Sequence, residues 1–310
     1  MKDVGQHSLE IAALRHAAPY IRLYRDKTFV LKVGGGACAS PEALAALLEQ
    51  IEVLRVVGIR CVLVHGGGPQ ASALLERLGG EPRFAAGRRV TDELALEATL
   101  LALNGEVNTR VLCACRALGI EAAGISGVDA GLLRARRRPP VEVEGHGLVD
   151  YGQVGDLEAV EPRLVVELLD DGLLAVVSPL AADDRGNPLN VNADTVAAAL
   201  AVALRAEKLL LLTEAAGVLE RHPDPSSLVS YTDLAGLREL RRRGALDGGM
   251  LPKAAAIERA ILGGVPRVHV VSYVQHDGLL SEIFTNEGAG TLIVAERNDA
   301  VGAVAVESAS

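Results

Sequence analysis

Tryptophan is absent from the 310 residues, and all aromatic residues together make up 3%. Single-stranded nucleic acid is usually held by several exposed rings, so composition argues against that class of partner. Positive charge is also short: 31 Lys and Arg face 40 Asp and Glu, a formal net charge of −9. An acidic chain binds polyanions only through a locally basic face. The basic runs Arg134–Arg138 and Arg241–Arg243 read as solvated surface, the first bounded by Pro139 and Pro140, the second closing a helix. No nucleic-acid partner is expected. The four cysteines lack zinc-knuckle spacing, and Cys113 and Cys115, two apart in a helical stretch, point to different faces. Reduced thiols in a cytoplasmic protein are expected. No apolar run approaches the ~18–20 residues of a membrane span, and the start MKDVGQHSLE has no signal-peptide core. The patterns H-E-x-x-H, C-x-x-C, G-x-S-x-G and the phosphate loop G-x-x-x-x-G-K-[ST] are missing, and no protein-held metal is expected. With 49% hydrophobic residues a large core is nevertheless available, which excludes wholesale disorder.

The recurring pattern is a short apolar run, a Gly-rich turn and a helical stretch. Phe29–Val33 predicts a strand, Gly34, Gly35 and Gly36 a turn, and Ser40-Pro41 the capped start of a helix ended by Gly58. Ile59–Val64 predicts a second strand, followed by Gly66, Gly67, Gly68 and a helix opened by Pro69. A long helix with Gly105 inside it follows Thr91 as N-cap, and residues 122–157, dense in glycine, read as β-hairpins. Asn192 caps a further helix. Lys208–Thr213 and Val268–Tyr273 are strands, and Pro252–Leu262 is a helix. Such alternation specifies an α/β fold with a mainly parallel sheet. The expected organisation is an N-terminal helical extension over 1–26, a first lobe over 27–204 and a second over 205–310, the lobes sharing one sheet.

Two Gly triplets end consecutive strands and precede helices, so both loops fall on one edge of the sheet. Backbone N–H groups and a helix dipole favour phosphate oxygens there. Both triplets satisfy the loose pattern G-x-G-x-x-G/A, but His65 stands where a ribose-binding acid would end the second strand, which disfavours a dinucleotide. Lys32 lies between apolar Leu31 and Val33, just before the first Gly triplet, and a buried ammonium needs an anion. Lys253 follows a further Gly turn. Two lysines on one phosphoryl group would stabilise the charge on its oxygens, with Asp194 orienting them. Asp194 also reads as simple first-turn dipole stabilisation, and Asn190 lies in the same segment. Arg89 reads either as surface or as the bidentate partner of a substrate carboxylate. No general base stands out. An acceptor carboxylate, ionised at pH 7, needs none, which points towards acyl phosphate formation.

The segments LKVGGG, VHGGGP, GRRVTD, NGEVN, GISGVD, NVNADTVAAALA, LLTEAAGVL, GGMLPK and EIFTNEGAGTLI, in this order, resemble the amino-acid kinase family over roughly residues 18–296. The resemblance implies a three-layer αβα sandwich. It is strongest to the branch that phosphorylates the side-chain carboxylate of N-acetyl-L-glutamate with ATP and Mg²⁺ in arginine biosynthesis. It implies that Lys32 and Lys253 stabilise the transferring γ-phosphoryl group and that Asp194 holds them. It further implies that Gly35, Gly66, Gly67 and Gly68 give N–H groups to phosphate and acceptor, and that Arg89 and Asn190 bind the substrate. Val33, Gly36 and Glu214 depart from the usual pattern, leaving open a kinase for carrier-bound aminoadipate or glutamate. A non-catalytic, arginine-sensing nucleotide-binding protein is the other alternative. Residues 8–25, interrupted near Pro19, with Glu282 and Gly288–Gly290, resemble the arginine-inhibited members. That implies an L-arginine site near Tyr20, Glu282 and Gly288, in a homodimer or a hexameric trimer of dimers.

Overall fold

The computed structural model describes residues 3–296 except 144, 146, 222, 247 and 287, with side chains from residue 13 onwards. The second expected lobe therefore extends, over 297–310, beyond the described residues, as does the start of the N-terminal extension. An eight-stranded sheet runs through the molecule in the order Tyr231–Asp233, Thr291–Val294, Arg267–Ser272, Lys208–Thr213, Thr28–Val33, Arg60–His65, Leu174–Ser178, Ala122–Ser126. Neighbours are parallel except Arg267–Ser272 with Thr291–Val294. The four strands that precede residue 205 in sequence form one half and the four that follow it form the other. They join where Thr28–Val33 pairs with Lys208–Thr213.

Both faces of the sheet are covered, which is why its strands read as continuous apolar runs. Phe29, Leu31 and Val33 enter one core with helix Pro41–Val56 and helix Gly278–Phe284. Val30 enters the other, against helices Ala193–Ala203 and Met250–Leu262. The period of two then sends Lys32 to the Val30 face, towards the two helices that carry Asp194 and Lys253. A smaller four-stranded sheet, ordered Pro188–Asn190, Leu180–Ala182, Leu133–Arg137, Gly155–Val160, stands beside the first half. A two-stranded hairpin, Arg83–Ala85 with Arg88–Val90, projects near it.

The structure corrects several sequence expectations. The first Gly triplet is not a plain turn: a short helix, Gly35–Ala39, starts within it. Ser40 caps the next helix as expected, its Oγ accepting from the Ala43 N–H at 3.2 Å. Thr91 is not an N-cap. Asp92 takes that role, accepting from the Ala95 N–H at 2.9 Å, because Thr91 is engaged in a bridge to Gly152. The helix around Gly105 is a wider-wound π segment, Leu101–Asn108, joined to α-helix at both ends. It brings Asn108 to His65 and to the Val176 carbonyl. Ala122–Ser126 belongs to the main sheet rather than to a hairpin. Helix Asp3–Tyr24 runs through Pro19 without interruption, forgoing the backbone bond that proline cannot donate.

Candidate active site

Lys32, Asp194 and Lys253 meet at the carboxyl ends of the central strands. Lys32 Nζ lies 3.0 Å from Asp194 Oδ1, and Lys253 Nζ lies 3.1 Å from Oδ1 and 3.2 Å from Oδ2. Lys32 and Asp194 are 7% and 5% exposed, so water screens the trio little. Burial alone would raise the Asp194 carboxyl, but the two ammonium groups outweigh it and hold it below the usual carboxylate range. Lys253 is pushed down to about 8, first by burial and then by the charge of Lys32. Two ammonium groups share one carboxylate. The cluster keeps an excess positive charge that a further anion would neutralise.

Lys32 and Asp194 line a cavity of about 750 Å³, as does Pro252, next to Lys253 in the chain. Gly35, Gly66, Gly67 and Gly68 line it, as do Arg89 and Asn190. All the residues expected to bind substrate or phosphate are thus in one place. Gly67 packs closely: a Cβ there would run into the Leu103 and Val107 side chains, so the loop lies against the π segment. The helix Gly68–Arg77 begins at the same loop and turns its free N–H groups towards the cavity. Arg89 is fixed by bonds to the Gly68 carbonyl at 2.9 Å and to Ser72 Oγ at 2.5 Å. Its guanidinium also covers the Phe84 ring at 4.9 Å. Asn190 donates to Thr91 Oγ1 at 3.1 Å. His65 is fully buried and pushed down to about 4 by that burial, hence neutral. Its ring sits between the Gly66 carbonyl and Asn108, a structural use rather than a catalytic one.

Two residues of the basic run correct the sequence reading. Arg136 and Arg138 line the cavity, and Arg138 is largely buried. Arg88, Asp156, Asn192 and Arg259 also line it, and sequence reasoning does not single them out for that place. Alternation along Leu133–Arg137 places Leu133 and Ala135 inwards, a signal that Arg134 and Arg136 share the opposite face. Nothing local in the sequence tells which direction that face looks. Glu214, the departure at the second half, accepts from Tyr273 Oη at 2.8 Å beside Gly36.

The residues expected to form a regulatory site gather elsewhere. Glu282 accepts the N–H groups of Ala289 and Gly290, at 2.6 and 2.9 Å, and contacts His269 Nδ1 at 2.6 Å. Gly288 packs against the same carboxylate, and Tyr20 Oη bonds to Asn286 Oδ1. Among the described residues no group of three His, Cys, Asp or Glu could hold a metal, and no helix is long and apolar enough to cross a membrane.

Residues 27–272 match the model of the amino acid kinase family. An acetylglutamate kinase from Myxococcus xanthus is 49% identical over 92% of this chain and 94% of its own length. One from Symbiobacterium thermophilum is 43% identical over 94% of this chain and 100% of its own. Among solved structures, N-acetylglutamate synthase from Neisseria gonorrhoeae, complexed with coenzyme A and N-acetyl-glutamate, superposes with a TM-score of 0.80 at 28% identity. It covers 93% of this chain, which spans 64% of that longer one. Fold, site geometry and sequence agree, and the chain belongs to the amino acid kinase family.

Proposed function

We propose that the protein is an acetylglutamate kinase, transferring the γ-phosphoryl group of ATP to the side-chain carboxylate of N-acetyl-L-glutamate in arginine biosynthesis. The observation that carries the reading is the Lys32–Asp194–Lys253 cluster, buried and positively charged, whose Lys32 and Asp194 line the same cavity as Arg89. Arg89 pairs with the α-carboxylate of the acceptor, and Asn190 binds beside it. The Gly66–Gly68 N–H groups steady the side-chain carboxylate and the arriving phosphoryl group. One carboxylate oxygen attacks the γ-phosphorus, the bond to the β-phosphate oxygen breaks, and its electron pair leaves on ADP. Charge spreads over the three equatorial oxygens as this happens, and the two lysines lie ready to neutralise it. Asp194 keeps the lysines apart and aimed. The acceptor is already ionised, so no base is required. Mg²⁺ would arrive on the phosphates of ATP and offset their charge. The described residues offer lysines and backbone N–H groups for such a complex rather than a carboxylate cage.

In this reading residues 27–204 hold the acceptor, residues 205–310 hold the nucleotide, and 1–26 form an extension. L-Arginine is the inhibitor, bound at Tyr20, Glu282 and Gly288, with a homodimer or trimer of dimers as the assembly. Support comes from the Tyr20–Asn286 bond, which joins the N-terminal helix to the segment that Glu282 holds through Ala289, and from the exposed Leu14 and Leu23 on that helix. Acyl phosphate trapped with hydroxylamine, from ATP and N-acetyl-L-glutamate with and without L-arginine, tests both parts. Turnover suppressed by arginine supports both. Turnover indifferent to arginine removes the regulation and keeps the enzyme. Turnover on aminoadipate or glutamate derivatives alone replaces the acceptor.

A further inference from the structure

Four arginines fall within residues 134–138, and three are about half or more exposed in their side chains: Arg134, Arg136 and Arg137. Arg138 is 16% exposed. Its Nε and Nη2 both donate to Asp156 Oδ1, at 2.9 and 2.6 Å. Its guanidinium carbon lies 5.7 Å from the centre of the Tyr151 ring. Tyr151 is buried, and its Oη donates to the Ala85 carbonyl at 3.2 Å. Its own carbonyl accepts from the Thr91 N–H at 2.9 Å. Ala85 and Thr91 flank the segment 86–90, so Tyr151 grips the hairpin on both sides of its tip and Arg138 fixes Tyr151. At the tip Ala86 and Gly87 turn the chain with positive φ, 46° and 73°, and Gly87 comes close to the Gly248 carbonyl of the other half of the sequence. The hairpin thus spans the cavity between the two halves and carries Arg89. Its neighbour Arg88 shares the Arg138 surroundings: burial, then the charge of Arg138, pushes its guanidinium down. Asp156 is the carboxylate that lets two cations stand so close.

We propose that Arg138, paired with Asp156 and resting on Tyr151, is a positioning residue that holds the 83–90 hairpin over the cavity and so sets Arg89 for the acceptor. The proposal rests on the acceptor reading above for its kinetic consequence, but its structural part stands without it. A side chain that acts through another residue does so by placement, and a displacement of about 1 Å costs up to ~100-fold. Arg138→Ala is expected to raise the acceptor KM about tenfold, leaving kcat and the KM for ATP within about twofold. Asp156→Asn, nearly isosteric, should act in the same direction, and Arg138→Lys, which keeps one charged donor, should fall between. Arg134→Ala, in the same basic run and outside the cavity lining, is the control. Amide hydrogen exchange over 83–90, in the substrate-free protein, should quicken in Arg138→Ala and Asp156→Asn and not in the control. Unchanged acceptor KM and unchanged exchange in both variants would overturn the proposal. So would an equal rise in both KM values with a lowered Tm, which marks a purely structural role. If the parent does not turn over N-acetyl-L-glutamate, the acceptor reading fails, and exchange alone still decides whether Arg138 holds the hairpin.

Discussion

Lys32 and Lys208 stand on adjacent strands of one sheet, Lys32 near the carboxyl end of its strand and Lys208 at the amino end of the next, and both are buried. Lys32 meets Asp194, a carboxylate that already serves Lys253, and Lys32 and Asp194 open onto a cavity. Lys208 meets the His269 ring at 2.9 Å and covers the Tyr24 ring at 4.9 Å, and the histidine in turn contacts Glu282. Burial is the first cause that pushes Lys208 down to about 7, and burial likewise takes His269 to about 4. The second chain of groups can therefore settle its charge internally, by losing a proton. In the first, Lys253 can lose its proton above about pH 8 with Lys32 still paired to Asp194, but below that pH one ammonium stays unbalanced. Buried lysine alone is thus not a sign of chemistry. An unbalanced charge that faces open space is.

The comparison is broken most strongly at its carboxylates. Asp194→Ala leaves two ammonium groups facing each other and unaimed, and kcat should fall about 10²–10³-fold while the fold persists. A kcat within twofold of the parent would place the chemistry elsewhere. Glu282→Gln should do the reverse. Replacing the carboxylate that bonds His269 and two backbone donors should cost about 1–3 kcal/mol of stability, read as a lowered Tm, with kcat largely kept in the absence of arginine. Arg89→Ala sharpens the acceptor side. Losing one charged partner of a carboxylate should raise the acceptor KM about 10²-fold, with the KM for ATP nearly constant.

The smallest effect is one of pH. Lys253 is held at about 8, so in the free enzyme its proton is present below that pH and lost above it. kcat/KM should fall about tenfold per unit above pH 8. A bound phosphate favours the charged lysine, so the same limb in kcat should move upwards. A flat profile to pH 10 would remove Lys253 from the charge-stabilising role.

Lys32 is legible in the sequence because an ammonium flanked by apolar strand residues, just before a run of glycines, needs an anion to face it. Lys253 and Asp194 are legible from their Gly turn and helix start. Lys208 is not, although it opens a strand of four leucines. Its partner His269 lies 61 residues away, and only the sheet register brings them together. Arg138 escapes for a related reason. A run of arginines reads as solvated surface unless the position of Asp156 and Tyr151 is known, and both belong to a strap that folds back from later in the chain. Caps and π turns escape for local reasons: Thr91 and Asp92 are both good N-caps, and tertiary pairing to Gly152 decides between them.

The central claim concerns the two lysines. Single-turnover formation of acyl phosphate, quenched and trapped with hydroxylamine, should be compared in the parent, Lys32→Ala, Lys253→Ala and the double variant. The expected result is a loss of about 10²–10³-fold in each single variant, with a double loss well short of the product, since the residues act as a unit. Turnover by either single variant at the parent's rate would contradict the assignment of this cluster to phosphoryl transfer.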